Sequence, residues 1–161
     1  MTAADIIINN ASALPAYILL SSLLEGIIFQ DNRGLLFFIV LCVNFIINIL
    51  LKTLLWELPG SHRPNENATC GDKYGNPSSH AQFIWCFAIF WILYITQSDI
   101  FLNPVANILS SVSLILIAII VSLSRVSQGC HTVLQVFFGA MAGIIVAIIA
   151  FFACKKLLMA K

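Results

Sequence analysis

The sequence predicts an all-α integral membrane protein, a bundle of about five transmembrane helices. Hydrophobic residues make up 60% of the 161 positions and charged residues only 9%, whereas soluble domains carry about 25% charged residues. The mean hydropathy is +0.99. Because so few charges cannot cover the surface of a soluble domain of this length, the bilayer must solvate much of the chain. The length suits one domain over residues 1–161.

Five apolar segments are candidates for the helices, since a transmembrane helix needs about 20 apolar residues. The first segment is the weakest because Glu25 interrupts it. In chain order, the segments cover about 15–29, 35–56, 82–96, 103–123 and 132–154. Short polar links join most of them. The link over residues 57–80 is long and contains three prolines and three glycines, which excludes a continuous helix.

Charge and cysteine content exclude several classes of protein. The net charge is +1 and the longest basic run is two lysines, so nothing supports a nucleic-acid partner. Residues 1–12 lack the basic start of a signal peptide. The five cysteines show no CxxC pair and no metal-ligand spacing. Cys70 and Cys130 both lie in polar segments, so a disulfide between them is one option that spacing alone does not decide.

Counting membrane crossings assigns each polar segment to a face. The second helix ends on the face where the long link lies and the third helix begins. The chain returns to that face between the fourth and fifth helices. This predicts that five basic residues gather on one side of the membrane: Lys52, Arg63, His80, Arg125 and His131.

The opposite face carries Arg33 and the three C-terminal lysines, beside Asp31 and Asp99. Cytoplasmic loops tend to carry Lys and Arg. We therefore expect a cytoplasmic C-terminus and a site that faces the lumen or the exterior. Two glycosylation sequons, at Asn10 and Asn67, fall on the same predicted outer face.

Three clusters on this face contain residue types that handle phosphate. They are Lys52 with Arg63-Pro64, then Pro77-Ser78-Ser79-His80, then Ser124-Arg125 followed by His131 and Gln135. Arginine binds phosphate oxygens with two parallel hydrogen bonds, and lysine adds a point charge. One histidine can attack phosphorus while the other protonates the leaving oxygen. No Asp or Glu pair with metal-site spacing accompanies them, so the pattern predicts metal-independent phosphoryl transfer without a cofactor.

These clusters resemble the signature of the type 2 phosphatidic acid phosphatase (PAP2) superfamily, which reads K-x6-R-P, P-S-G-H and S-R-x5-H-x3-D. The third cluster has the full spacing, with Gln135 in place of the aspartate. Within the superfamily, residues 74–83 and 124–136 are most similar to the dolichyl diphosphatase branch, which also uses glutamine. The resemblance covers roughly residues 52–143.

The resemblance implies a role for each matched residue. His131 attacks phosphorus and forms a phosphohistidine, and His80 protonates the leaving group. The phosphoryl oxygens are held by Lys52, Arg63, Ser78, Ser79 and Arg125. Gln135 accepts a hydrogen bond from the Nδ1–H of His131, which selects the tautomer, but it lacks the negative charge of an aspartate.

Three features depart from the family pattern. Lys52 and Arg63 are separated by ten residues instead of six, so Lys73 is an alternative phosphate lysine. Ser79 stands where the family has glycine. The superfamily commonly has six spans, and five are predicted here.

The implied function is hydrolysis of a polyprenyl (dolichyl) diphosphate to the monophosphate in the endoplasmic reticulum membrane. Two alternatives remain: a broader phosphatase for phosphatidate or a sphingoid phosphate, and a non-catalytic binder of lipid phosphates. The expected partners are the lipid substrate and the membrane. Gly139 and Gly143 form a G-x-x-x-G motif that favours close helix packing or a homodimer.

Overall fold

The described part of the chain is entirely helical apart from its links. A computed structural model describes residues 3–30, 32–65, 70, 73–98 and 103–159, with side chains from residue 13 onward. The helices are α1 Ala3–Ile28, α2 Asn32–Leu55, α3 Ser79–Gln97, α4 Pro104–Ser127 and α5 Val133–Leu158. The predicted all-α bundle is confirmed, and α2 to α5 match their predicted segments to within a few residues. Helix α1 begins well before its predicted start and runs through Pro15.

Helices α2, α3, α4 and α5 are each long and apolar enough to cross a membrane. In α1 the described apolar stretch, Ala13–Ile28, is shorter. Large apolar side chains cover the outside of the bundle, as on α4, where Ile108, Leu109 and Leu116 are more than half exposed. A hydrocarbon environment explains such an exposed apolar surface.

Helices α3 and α5 form the most extensive helix–helix contact among the described residues, and two glycines permit their close approach. A Cβ atom at Gly139 would lie 2.5 Å from the Ser78 carbonyl oxygen, and one at Gly143 would overlap the Gln82 carbonyl oxygen. Both glycines are buried. The expectation of close helix packing is therefore confirmed inside the chain, while the homodimer stays a prediction.

Buried amides connect α2 to the start of α3. The Gln82 Nε2 atom donates to the backbone and side-chain oxygens of Asn44, both at 3.0 Å. Asn48 Nδ2 donates to Gln82 Oε1 at 2.8 Å. Because bilayer interiors offer no water to such groups, the three amides satisfy one another. They hold the first turn of α3, where Ser79 and His80 lie, against α2.

The link between α2 and α3, here called the 57–78 loop, folds back on itself in its described parts. His62 and Tyr74 form an antiparallel β-bridge. Arg63 N–H donates to the Lys73 carbonyl at 3.1 Å, and Gly75 N–H donates to the Ser61 carbonyl at 2.7 Å. These bonds hold residues 61–63 of the loop beside residues 73–75.

Candidate active site

His131 lies two residues before α5 and is only 2% exposed. Its Nε2 atom is 2.8 Å from Arg63 Nη1. A guanidinium has donors and no acceptor, so Nε2 must accept this hydrogen bond. The ring proton is therefore on Nδ1, which lies 3.3 Å from Gln135 Oε1. The lone pair on Nε2 points toward the basic cluster, as a nucleophile there requires.

The surroundings of His131 keep its imidazole neutral. Burial, together with the positive charges of Arg63, Arg125 and Lys52, lowers the pKa of His131 to about 3. The hydrogen bond to Gln135 acts in the opposite direction and raises this pKa. A neutral ring retains the lone pair that a nucleophile needs. The charges of three predicted phosphate ligands therefore act on the ring.

Lys52 and Lys73 occupy different environments. The Lys52 charge acts on the pKa of His131, and its side chain is half-buried in the last turn of α2. Lys73 is exposed, and its Nζ atom lies 5.9 Å from the centre of the Tyr74 ring. The charge of Lys52 therefore acts on His131 despite its unusual spacing, and its role as the phosphate lysine stays a prediction.

Gln135 is fully engaged on the first turn of α5. Its side chain and that of Thr132 form a capping box, with 3.2 Å bonds in both directions. Its Nε2 atom donates to the Gly60 carbonyl at 2.8 Å and to the His62 carbonyl at 2.7 Å. These two carbonyls can only accept, which assigns the amide nitrogen to the loop and the amide oxygen to His131.

Two predicted phosphate ligands, Ser78 and Arg125, have buried polar atoms. Ser78 N–H donates to the Gln135 carbonyl at 3.0 Å, while the buried Ser78 Oγ has no hydrogen-bond partner among the described residues. Arg125 is 5% exposed and donates from Nη1 to Gln128 Oε1 at 2.6 Å. Its buried Nε has no partner in the described part of the chain. Buried donors normally bind something, so an oxyanion suits these atoms.

Ser79 and His80 open α3 directly after Ser78, and both are half-buried. Ser78 is the N-cap residue of α3, yet its side chain makes no capping hydrogen bond. Its hydroxyl is therefore not committed to the helix end. The turn places the second predicted histidine, His80, two residues after Ser78, a predicted phosphate ligand.

A disulfide joins Cys70 of the loop to Cys130, with their Cα atoms 5.4 Å apart. The disulfide that the sequence left as one option is therefore present. Cys130 precedes His131, and its carbonyl accepts a 2.9 Å hydrogen bond from Arg63 Nη1. The loop is consequently attached to the segment that carries His131 by both a covalent bond and a hydrogen bond.

The sequence did not reveal the contribution of Gly75 and of the loop carbonyls. A Cβ atom at Gly75 would lie 2.5 Å from Gln135 Oε1 and 3.1 Å from Arg63 Cγ. In the sequence, Gly75 is visible only as a glycine three residues before Ser78, and the motif does not show which residues Gly75 contacts. Among the described residues, no group of three or more His, Cys, Asp or Glu side chains is placed to hold a metal ion.

Residues 33–157 match the PAP2 superfamily. The chain belongs to this family. Dolichyldiphosphatase 1 of Mus musculus is 31% identical in an alignment that covers 91% of this chain and 63% of that protein. Dolichyldiphosphatase 1 of Homo sapiens is 34% identical over 73% of this chain and 51% of its own length. Lipid phosphate phosphatase gamma of Arabidopsis thaliana is 30% identical over 91% of this chain and 65% of that protein.

A solved PAP2 structure has the same fold. It is the crystal structure of the first transmembrane PAP2 type phosphatidylglycerolphosphate phosphatase from Bacillus subtilis, with a TM-score of 0.74 and 20% identity. The match covers 98% of this chain and 78% of that one. This chain therefore has the PAP2 fold, and it spans between half and two-thirds of the length of the curated relatives named above.

Proposed function

We propose that this PAP2 protein hydrolyses a polyprenyl (dolichyl) diphosphate to the monophosphate through a phosphohistidine at His131. The observation that carries the proposal is the buried, neutral His131, whose Nε2 lone pair faces Arg63 while Nδ1–H is held by Gln135. The names of the mouse and human relatives support the diphosphate substrate.

In the first chemical step, His131 Nε2 attacks the terminal phosphorus. The P–Nε2 bond forms while the bond from phosphorus to the bridging oxygen breaks, and His80 donates a proton to that oxygen. The lipid monophosphate leaves. In the second step, water attacks the phosphohistidine, His80 accepts the water proton, and the P–Nε2 bond breaks. Inorganic phosphate and neutral His131 are regenerated.

The basic residues stabilise the charge that the transferred phosphoryl group carries. Arg63 moves its hydrogen bond from His131 to a phosphoryl oxygen when substrate binds, which uncovers the nucleophile. Arg125 Nε and Ser78 Oγ, both without partners in the described chain, donate to the remaining oxygens. Lys52 adds a positive charge, and Ser79 adds a second hydroxyl. Fixed donors of this kind require little reorganisation during the reaction.

The lipid chain has an apolar cavity beside the loop. The cavity has a volume of about 410 Å³ and is lined by Leu51, Leu55, Leu58, Pro59, Asn76, Pro77 and Phe138. Pro77 adjoins Ser78, so a lipid in this cavity would have its headgroup next to the proposed phosphate ligands.

The second candidate is a broader lipid phosphate phosphatase acting on phosphatidate or a sphingoid phosphate. The name of the Arabidopsis relative favours it, and the apolar cavity fits an acyl chain as well as a prenyl chain. A non-catalytic binder has less support, because anion binding requires the basic residues but not an oriented nucleophilic tautomer.

For location, we propose the endoplasmic reticulum, with the site facing the lumen. The Cys70–Cys130 disulfide lies at the site, and disulfides persist in oxidising compartments. The dolichyl substrate in the relatives' names is consistent with this membrane. The sequon residue Asn67 and the Asn10 side chain lie outside the described residues, so glycosylation remains a sequence-based expectation.

Phosphate release by the purified protein in detergent tests the function. Dolichyl diphosphate and phosphatidate are compared, with EDTA present, for wild type, His131→Ala and His62→Ala. His62 is the matched control because its side chain is exposed. We expect release from the diphosphate that survives EDTA, disappears in His131→Ala and persists in His62→Ala. Full turnover by folded His131→Ala would reject the mechanism, and faster phosphatidate turnover would favour the broader phosphatase.

A further inference from the structure

We propose that Gln135 is a positioning residue whose side chain hydrogen-bonds both the 57–78 loop and the nucleophile, an arrangement called here the clasp. A carboxylate at this position would therefore disrupt the site. The proposal deepens the proposed function and rests on it. It concerns the half of the Gln135 side chain that faces away from His131.

The amide of Gln135 makes hydrogen bonds in two directions. Its Oε1 atom accepts from Thr132 N–H at 3.2 Å and lies 3.3 Å from His131 Nδ1. Its Nε2 atom uses both hydrogens on loop carbonyls, those of Gly60 and His62. Gln135 is 1% exposed, so water cannot replace a lost partner. Only an amide supplies both acceptor and donors at this position.

Gly75 shows independently that the loop is fitted to this amide. The loop passes so close to the amide that a Cβ atom at residue 75 would lie 2.5 Å from Gln135 Oε1. The Gly75 N–H also donates to the carbonyl of Ser61, which lies between the two residues whose carbonyls Gln135 binds. The loop therefore contacts both ends of the amide: the Gly60 and His62 carbonyls bind Nε2, and Gly75 lies beside Oε1.

The clasp acts on both nitrogens of His131. It orients Nδ1 directly. It also holds the loop segment that carries Arg63, whose Nη1 atom contacts Nε2 at 2.8 Å. Because one side chain fixes the nucleophile and a phosphate ligand together, losing its donors should impair both phosphate binding and catalysis.

A carboxylate at position 135 would keep the contacts with His131 and Thr132 but would turn the attraction to the loop carbonyls into repulsion. In a Gln135→Glu variant of equal size, one oxygen still accepts from His131 and Thr132. The other oxygen would face the Gly60 and His62 carbonyls at the 2.8 and 2.7 Å now spanned by hydrogen bonds. Acceptors at that distance repel, so the variant loses two hydrogen bonds and gains repulsion in their place.

The two roles of Gln135 predict opposite results for Gln135→Glu. If the residue only orients His131, glutamate preserves or raises activity, since a carboxylate stabilises an imidazolium. If it clasps the loop, glutamate is as harmful as Gln135→Met, which removes all the hydrogen bonds. Gln97→Glu makes the same change at an exposed position at the far end of α3 and serves as the control.

The test measures kcat and KM for dolichyl diphosphate, the inhibition constant of orthovanadate, and amide hydrogen exchange of residues 57–65, all in the full chain. For Gln135→Glu we expect kcat to fall at least about tenfold, the vanadate constant to rise severalfold, and loop exchange to accelerate. Gln97→Glu should match wild type. Wild-type kcat, or wild-type loop exchange with an unchanged vanadate constant, would overturn the clasp.

Failure of the clasp and failure of the proposed function give different results. An inactive wild type rejects the function, yet loop exchange in Gln135→Glu still tests the clasp. If Gln135→Glu does not fold, Gly75→Ala disturbs the same amide from the loop side, because the added methyl must displace Gln135 Oε1 and with it the Nε2 atom that binds the loop. Faster exchange of residues 57–65 with weaker vanadate binding supports the clasp, and wild-type values for both overturn it.

Discussion

Arg63 and His131 are 68 positions apart in the chain, yet Arg63 Nη1 lies 2.8 Å from His131 Nε2. The same Nη1 atom also donates to the Cys130 carbonyl at 2.9 Å. Arg63 therefore selects the tautomer of His131, contributes to its low pKa, and connects the loop to the start of α5. These effects depend on one guanidinium, which makes Arg63 an informative residue to change.

Arg63→Ala should lower kcat/KM for phosphate release by about two to three orders of magnitude, the effect of removing one donor that stabilises developing oxyanion charge. The variant also loses the contact that keeps the Nε2 lone pair directed at the site. Steady-state kinetics of Arg63→Ala beside His62→Ala, a neighbouring loop residue with an exposed side chain, measure the effect. A loss below about threefold, well short of that expectation, would contradict the assigned role of Arg63.

The low pKa of His131 predicts how stability depends on pH. The pKa is about 3 in the folded chain against an ordinary value of 6.5 for histidine, so between these values the unfolded chain binds a proton that the native chain does not. Stability should be constant above about pH 6.5 and fall as the pH drops, by at most about 1.4 kcal/mol per pH unit. Thermal unfolding in detergent, compared between neutral and mildly acidic buffer, measures the slope.

The control for this slope is His131→Asn, which removes the titrating ring and should flatten the dependence. Imidazole resonances of histidine labelled with the heavy nitrogen isotope give a second measurement. We expect the His131 ring to remain neutral through about pH 5, well above its lowered pKa. Protonation of His131 near its ordinary pKa would show that the ring is neither buried nor surrounded by cations in solution.

Lys52→Ala should reduce activity by at least about tenfold, whereas Lys73→Ala should retain most of it. The reason is that Lys52 acts electrostatically on His131 while Lys73 is exposed beside Tyr74; a surface charge contributes little. The two variants are matched controls for each other in the phosphate-release assay. The reverse order of effects would assign the phosphate lysine to Lys73.

The sequence predicted the helices and the faces of the site residues because hydrophobic length and crossing number are local properties of the chain. It also predicted that His131 and Gln135, four residues apart, would form a hydrogen-bonded pair. The relation of Lys52 to the site was ambiguous, since its distance along the chain from Arg63 does not match the motif. Only the folded structure shows that the Lys52 charge still acts on His131 despite the extra residues.

Other features depend on contacts between distant segments, and no local pattern encodes them. The second half of the Gln135 amide binds carbonyls 73 and 75 positions away. The Cys70–Cys130 pairing was one option among several until the loop was folded onto α5. Asn44 and Asn48 lie four residues apart on α2, but that spacing does not identify their shared partner Gln82.

Removing the disulfide should destabilise the protein and lower its activity. Cys70→Ser releases the loop from the residue preceding His131, and loss of a native disulfide typically costs about 2–4 kcal/mol. We expect a lower thermal midpoint and slower phosphate release, with reductant mimicking the substitution in wild type. Cys154→Ser, at a cysteine outside the disulfide, is the control. Reductant should have no further effect on Cys70→Ser, and an insensitive wild type would contradict the bond.

Gly143→Ala tests whether close packing of α3 against α5 is required for stability and for an active site. Alanine is favoured over glycine in a helix by about 1 kcal/mol, but the added methyl would overlap the Gln82 carbonyl, and overpacking typically costs about 1–3 kcal/mol. Because the clash involves the backbone of a neighbouring helix, its cost should exceed the gain in helix propensity and lower the thermal midpoint. Since Gln82 anchors the turn that carries His80, phosphate release should fall as well. Ile145→Ala, on the exposed side of α5, is the control; an unchanged midpoint in Gly143→Ala would mean that the two helices lie further apart in the bilayer.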